Sequence, residues 1–193
     1  MYTTLKRLGF FTYGQVIPGL TLYGKPAPYP VLNERAIRAG AGIMFALGLF
    51  AFFQAFYLQE FWYLQVFVSI FFIDFLMKVV IGTRFSPISR LANLIVRGQA
   101  PEYVGAVQKR FAWTIGLVLA GTMLVLLFGL GVQGWPNLLI CGICLTFMFM
   151  ESAFGICVGC KLYNLLLTLG VIPQPVYQPV CPGNVCATEG MQS

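Results

Sequence analysis

Histidine is absent from the 193-residue chain, and only 9% of its residues are charged. Without imidazole there is no Ser-His-Asp or Cys-His catalysis, no histidine-ligated haem and no imidazole-based zinc site. Soluble domains carry roughly 25% charged residues, so the charge deficit excludes an ordinary globular protein. Carboxylates are the scarcer sign, with 6 Asp and Glu against 12 Lys and Arg and a net charge of +6. In so apolar a chain that excess marks segments facing an anionic membrane surface, not a nucleic-acid partner. Met1–Pro30 holds Lys6 and Arg7 but no long apolar run ending in a small-residue cleavage site, so it is not read as a signal peptide. Its Pro18, Pro26, Pro28 and Pro30 also make it a poor helix beyond the first dozen residues.

Apolar residues make up 59% of the chain, 18 of them Phe, in runs longer than one bilayer crossing needs. The expected fold is all-α, an integral membrane four-helix bundle. Span one runs from Ile37 to Leu58, span two from Phe61 to Ile81 and span three from Phe111 to Val132. Span four starts near Pro136 and reaches at least Phe154. Each approaches the ~20 residues that cross ~30 Å of hydrocarbon. The chain then divides into an N-terminal segment 1–32, a membrane domain 33–170 and a tail 171–193.

Basic residues orient the spans. Lys25, Arg35 and Arg38 precede the first, and Arg84, Arg90, Arg97, Lys109 and Arg110 fill the central loop, whereas the other two connections have none. The positive-inside rule puts both termini and the central loop in the cytoplasm, at an inner (plasma) membrane. Trp62 and Trp135 then fall at the outer interface and Trp113 at the inner one. Within the loop, Ser86-Pro87 reads as a capped helix start. Ile88, Leu91, Ala92 and Ile95 share one face while Arg90, Asn93 and Arg97 share another, as in an amphipathic helix lying on the inner leaflet. Small residues at Ala36, Gly40, Gly42–Ala46 and Gly116–Ala120 suit close helix packing and leave the oligomeric state open.

The apolar stretch from Leu138 to Leu169 is too long for one upright crossing. Gly155 and Gly159 bracket Cys157 within it, so the fourth helix is expected to break there and restart. The Cys157-Val-Gly-Cys160 pair would then open the new helix, where the dipole and the adjacent Lys161 favour a thiolate. Cys157 is the expected nucleophile and Cys160 the resolving thiol. Two carboxylates lie within the spans, Asp74 and Glu151, and intramembrane carboxylates are functional candidates by default. Asp74 can pair with Lys78 one turn on. Glu151 either exchanges protons with the dithiol or pairs with Lys78 or Arg110 across the bundle.

Cys141 and Cys144 lie in the outer half of span four among Leu, Ile and Phe, and read as buried small hydrophobes. They stand about 20 Å along a helix from the second pair, too far to share a metal with it. Cys181 and Cys186, in a tail with Pro173, Pro175, Pro179 and Pro182, form a second thiol pair. That pair could fold back on Cys157 and Cys160 to make a relay of two dithiols or a four-thiolate zinc site.

The stretch Ala153-Phe-Gly-Ile-Cys-Val-Gly-Cys-Lys-Leu-Tyr163 resembles the FGxCxGC signature of the DUF4395 family of small bacterial multi-pass membrane proteins. So do Asn33-Glu34-Arg35-Ala36, Arg84-Phe85-Ser86-Pro87, Pro101-Glu102 and Lys109-Arg110-Phe111, over roughly Asn33 to Leu169. The resemblance implies the company of thioredoxin-like or sulfur-transfer proteins, and no established activity. In inventory alone, four spans and two cysteine pairs are similar to four-helix membrane thiol oxidoreductases that use a quinone. Three readings therefore stand. One is a membrane thiol–disulfide or sulfur-transfer protein, another a non-catalytic membrane subunit or scaffold whose cysteines bind metal or pack, and the third a small permease.

Overall fold

The computed structural model describes residues 14–22 and 25–172. Cys181, Cys186 and the tail prolines lie outside the described residues, as do Lys6 and Arg7. Six α-helices dominate: α1 Glu34–Tyr57, α2 Phe61–Val80, α3 Pro87–Ile95, α4 Ala106–Leu124, α5 Trp135–Phe154 and α6 Val158–Thr168. A π-helical turn, Val125–Gly129, extends α4. Four of these, α1, α2, α5 and α4 with its π turn, are long and apolar enough to cross a membrane. The bundle is organised accordingly, with charge inside and hydrocarbon outside. Phe50, Trp62, Ile73, Val118 and Phe128 face outward, while Glu34, Asp74, Lys78 and Lys109 are buried. This is a multi-pass membrane protein.

The core has two layers. At one end Ala51, Ala55, Leu64, Val68, Met123, Cys141 and Leu145 pack together. Toward the other, Met44, Phe71, Phe75, Trp113, Ala120 and Met148 do so. Trp113, expected at the inner interface, lies near the start of α4 with its side chain buried in this second layer. Glycines let the helices approach. A Cβ on Gly48 would lie 2.6 Å from the Phe67 ring, and one on Gly116 the same distance from Phe75.

The short helix α3 is capped as its sequence implies, with Ser86 Oγ accepting from the Ser89 amide at 3.0 Å and Pro87 in the first turn. Ala92 is fully buried against α1 beside Gly40, whereas Leu91, Leu94 and Ile95 remain exposed. An apolar stripe left uncovered by the described residues, on a short helix beside the spans, fits the interfacial geometry.

One feature has no periodic signal in the sequence. Strand β3, Val31–Asn33, pairs antiparallel with β4, Tyr103–Gly105, in the register Val31↔Gly105, Leu32↔Val104 and Asn33↔Tyr103. (The other two strands, β1 Thr21–Leu22 and β2 Lys25–Pro26, form a small hairpin ahead of it.) β3 leads directly into α1 and β4 into α4, so the pairing fixes the starts of those two helices side by side. Helix α4 therefore begins at Ala106 and not at Phe111, and takes Lys109 out of the loop into its first turns. Asn33 joins the two ends, its Oδ1 accepting from the Arg35 amide at 3.1 Å and the Glu102 amide at 3.4 Å.

Packing this close sets a graded test. Phe75 stacks on Phe71 at 4.1 Å between centroids, so its ring has little room to yield to a methyl on Gly116. We expect Gly116→Ala to destabilise the bundle by about 1–3 kcal/mol, the usual overpacking cost. Gly121→Ala, whose Cβ would meet Phe72 at an ordinary 3.5 Å, should be near neutral. Thermal unfolding in detergent followed by circular dichroism measures both.

Candidate functional site: a capped dithiol beside a buried charge cluster

The fourth span ends where the sequence says it should. Gly155 takes φ +67°, a left-handed conformation that L side chains resist. The Gly155 amide donates to the Glu151 carbonyl at 3.1 Å, the bond of an αL terminus, and the Ile156 amide donates to the Met150 carbonyl at 3.0 Å. From α1, Arg38 adds longer hydrogen bonds to the carbonyls of Ser152 and Ala153, at 3.4 and 3.3 Å. The chain turns within three residues and re-enters helix at Val158.

Cys157 is the N-cap of that helix. Its extended backbone (φ −84°, ψ 100°) aims Sγ back at the helix, where it accepts from the Cys160 amide at 3.3 Å. A sulfur thus does what Ser, Thr or Asp does at most N-caps, in the one place where the helix dipole stabilises negative charge on it. Cys157 and Cys160 are joined as a disulfide, with Cα atoms 5.2 Å apart. Both are buried, Cys160 at 1% exposure and Cys157 at 5%, with Ala112 of α4 packed against them. Gly159 explains the fit. A Cβ there would sit 2.5 Å from the Ala112 Cβ and 2.7 Å from its Cα, so only glycine lets α6 lie this close to α4. The contact of Phe111 with Tyr163 and the Gln108–Asn164 hydrogen bond at 3.0 Å hold the rest of α6 on the same helix. Lys161 is exposed.

The two intramembrane carboxylates have other partners. Lys109 Nζ sits between Glu34, at 3.1 Å to Oε1 and 2.8 Å to Oε2, and Glu151 Oε1 at 2.6 Å. This triad links α1, α4 and α5. The expected partner of Glu151, Lys78 or Arg110, is thus corrected to Lys109. With α4 beginning at Ala106, position 109 points into the bundle and Arg110 lies exposed. Among the described residues no hydrogen bond joins the Glu151 carboxylate to either sulfur.

Asp74 does pair with Lys78, at 2.7 Å, and also accepts from the Ser86 hydroxyl at 2.5 Å. The same hydroxyl caps α3, so one buried carboxylate binds α2 to the interfacial helix. Lys78 Nζ lies 5.1 Å from the Phe75 centroid and 5.8 Å from that of Trp113.

The sequence-predicted residues therefore fall into two neighbouring groups. Cys157 and Cys160 come together on one side of α4, against Ala112. Asp74, Lys78 and Glu151 lie in the bundle interior, where Lys78, Trp113 and Glu151 line a cavity of about 630 Å³. Glu34 and Lys109 join the interior group, as does the α3 cap Ser86, and the sequence reading did not foresee their pairing there. The signal for Lys109 was its spacing from a helix start at Ala106. Cys141 and Cys144 are free, Cys141 within the apolar core, in keeping with packing roles. Among the described residues no three Cys, Asp or Glu side chains gather as a metal site requires. The four-thiolate zinc arrangement depends on Cys181 and Cys186, outside the described residues.

A family model described as a domain of unknown function, DUF4395, matches residues 32–168. No curated protein matches the chain, and no solved structure does.

Removing the triad's cation has a definite expectation. Lys109→Met leaves two buried carboxylates facing each other, and should cost about 3–5 kcal/mol, as breaking a buried ion pair from one side does. Replacing all three groups together (Glu34→Gln, Lys109→Met, Glu151→Gln) should recover much of that loss. Denaturant unfolding of the single and triple variants in one detergent makes the comparison.

Proposed function

The chain belongs to the DUF4395 family, and from that premise and the geometry of its CVGC turn we propose that it carries a dithiol–disulfide centre on the cytoplasmic side of a plasma membrane. One observation carries this reading: Cys157 caps α6 with its sulfur, in disulfide register with Cys160. A CxxC pair at a helix N-terminus lowers the pKa of its first cysteine and makes it a good leaving and attacking group. The assignment of side rests on Arg35, Arg38, Arg84, Arg90 and Arg97, all at the end of the bundle that holds the turn. The connections 58–60 and 130–134 carry no Lys or Arg.

In the proposed exchange a thiolate of a partner dithiol attacks the sulfur of Cys157, the less buried of the two, and the bond to Cys160 breaks. The partner's second thiol then displaces Cys157. Two electrons and two protons pass to Cys157 and Cys160, and the partner leaves as a disulfide. The reverse sequence oxidises the pair. A soluble thioredoxin-like or sulfur-transfer protein fits the compartment, because the cytoplasm keeps such dithiols reduced. Asp74 and Glu151 have no part in the exchange in this reading. Each is held by a lysine, and they position helices.

A second reading has its own observation. The disulfide lies at the tight contact of Gly159 with Ala112, so the pair can serve as a staple holding α6 on α4 in a non-catalytic membrane subunit. Cysteine trapping separates the two. With Cys160→Ser, the Cys157 thiolate attacks the disulfide of an oxidised partner, whose second sulfur leaves as a thiolate, and the mixed disulfide should accumulate because no second thiol resolves it. With Cys157→Ser it should not. Non-reducing gels with mass spectrometry of the adduct read the outcome. Equal absence of adducts in both variants, together with loss of thermal stability, favours the staple.

A further inference from the structure

The cavity in the bundle interior has a lining that selects a ligand, and the dithiol does not touch it. Its apolar walls are Met44, Phe75, Trp113 and Met148, and Lys78 and Glu151 supply polar groups among them. Its mouth reaches Arg84 and the polar side of α3, at Ser89 and Asn93. A volume of about 630 Å³ falls within the range of small-molecule sites, roughly 300–1,000 Å³.

Charge decides what kind of molecule fits. The ammonium of Lys78 is neutralised by Asp74 at 2.7 Å but retains N–H groups beyond that one carboxylate. Glu151, which also lines the cavity, binds Lys109 through Oε1 at 2.6 Å. The charged groups of the inner lining are thus already answered, Lys78 by Asp74 and Glu151 by Lys109. An anionic head at this depth would meet Glu151 with no spare buried cation, since both interior lysines are paired. A cationic ligand is opposed by Lys78, which already lies over the Phe75 and Trp113 rings. An uncharged molecule escapes both penalties. Flat aromatic and thioether walls favour a flat body, and the spare Lys78 N–H groups favour an acceptor oxygen on it.

We infer that this cavity binds a flat, uncharged molecule bearing a carbonyl, the chemistry of a quinone head group, with the carbonyl oxygen on Lys78 and the ring beside Trp113. The inference requires no reaction at the cysteines, so it stands or falls separately from the thiol reading.

Trp113 provides the readout. Trp62 and Trp135 are exposed at the far end, so Trp62→Phe with Trp135→Phe leaves Trp113 as the sole indole. Duroquinone is the probe, because its fully substituted ring does not add to thiols. Titrated into the full chain in nanodiscs, it should quench Trp113 saturably. Excess durene, the same ring without carbonyls, should fail to relieve the quenching, as should palmitate and tetraphenylphosphonium. Asp74→Asn with Lys78→Met removes the donor and its counter-charge together, and should weaken binding at least tenfold, the usual scale for a hydrogen bond to a charged group. Quenching that rises linearly with the quinone-to-lipid ratio would mean partition into the bilayer and overturn the proposal. Relief by durene would show that shape alone is read, and relief by palmitate or the phosphonium would show a charged-ligand site. Either result rejects the assigned class.

Discussion

Lys109 is the group on which the arrangement of this bundle depends. An ammonium at 1% exposure is tolerable in a membrane interior only with its charge answered, and here Glu34 and Glu151 answer it from two other helices. The strand pair β3–β4 makes this possible by aligning the starts of α1 and α4, so that Glu34 meets a lysine about one turn into the neighbouring helix. Asp74, Lys78 and Ser86 repeat the device on a smaller scale between α2 and α3. All of these charges lie toward one end of the bundle, and the other end is held by apolar packing around Leu64 and Leu145. Ion pairs of this kind add little net stability against a hydrophobic replacement, but a misaligned partner is costly. Their effect is to specify which helices meet and in what rotation.

That specification reaches the cysteines. Glu151 fixes the last turn of α5, and its backbone carbonyl receives the Gly155 amide that ends the helix. Three residues of α4 separate Lys109 from Trp113, and they include Ala112. One short stretch of helix therefore holds the triad's cation, the floor under Gly159 and a wall of the cavity. Any change in the rotation of α4 would alter the charge cluster, the seat of α6 and the cavity together.

Much of this was legible in the sequence because membrane spans are constrained by hydrocarbon thickness and helix rise. The ends of α1, α2 and α5 lie close to the expected boundaries. The break in the fourth span was readable because the apolar stretch is too long for one crossing and holds two glycines bracketing Cys157, and α3 because Ser86-Pro87 is a strong start. The start of α4 was not readable. Lys109 and Arg110 continue a run of basic residues that looks like loop, and only the pairing of two three-residue strands about seventy positions apart shows otherwise. With that start misplaced, the partner of Glu151 could not be identified.

The central claim is that Cys157 and Cys160 exchange two electrons as a unit. A redox titration of the purified protein tests it most directly, with Cys181→Ser and Cys186→Ser introduced so that the tail thiols do not contribute. After equilibration in graded thiol–disulfide buffers, free thiols are alkylated and counted by intact mass. The account predicts a single transition in which two further labels appear together, mapped by digestion to Cys157 and Cys160, with Cys141 and Cys144 unchanged throughout. A pair that stays oxidised until the protein unfolds would contradict it, and would make the CVGC turn a staple.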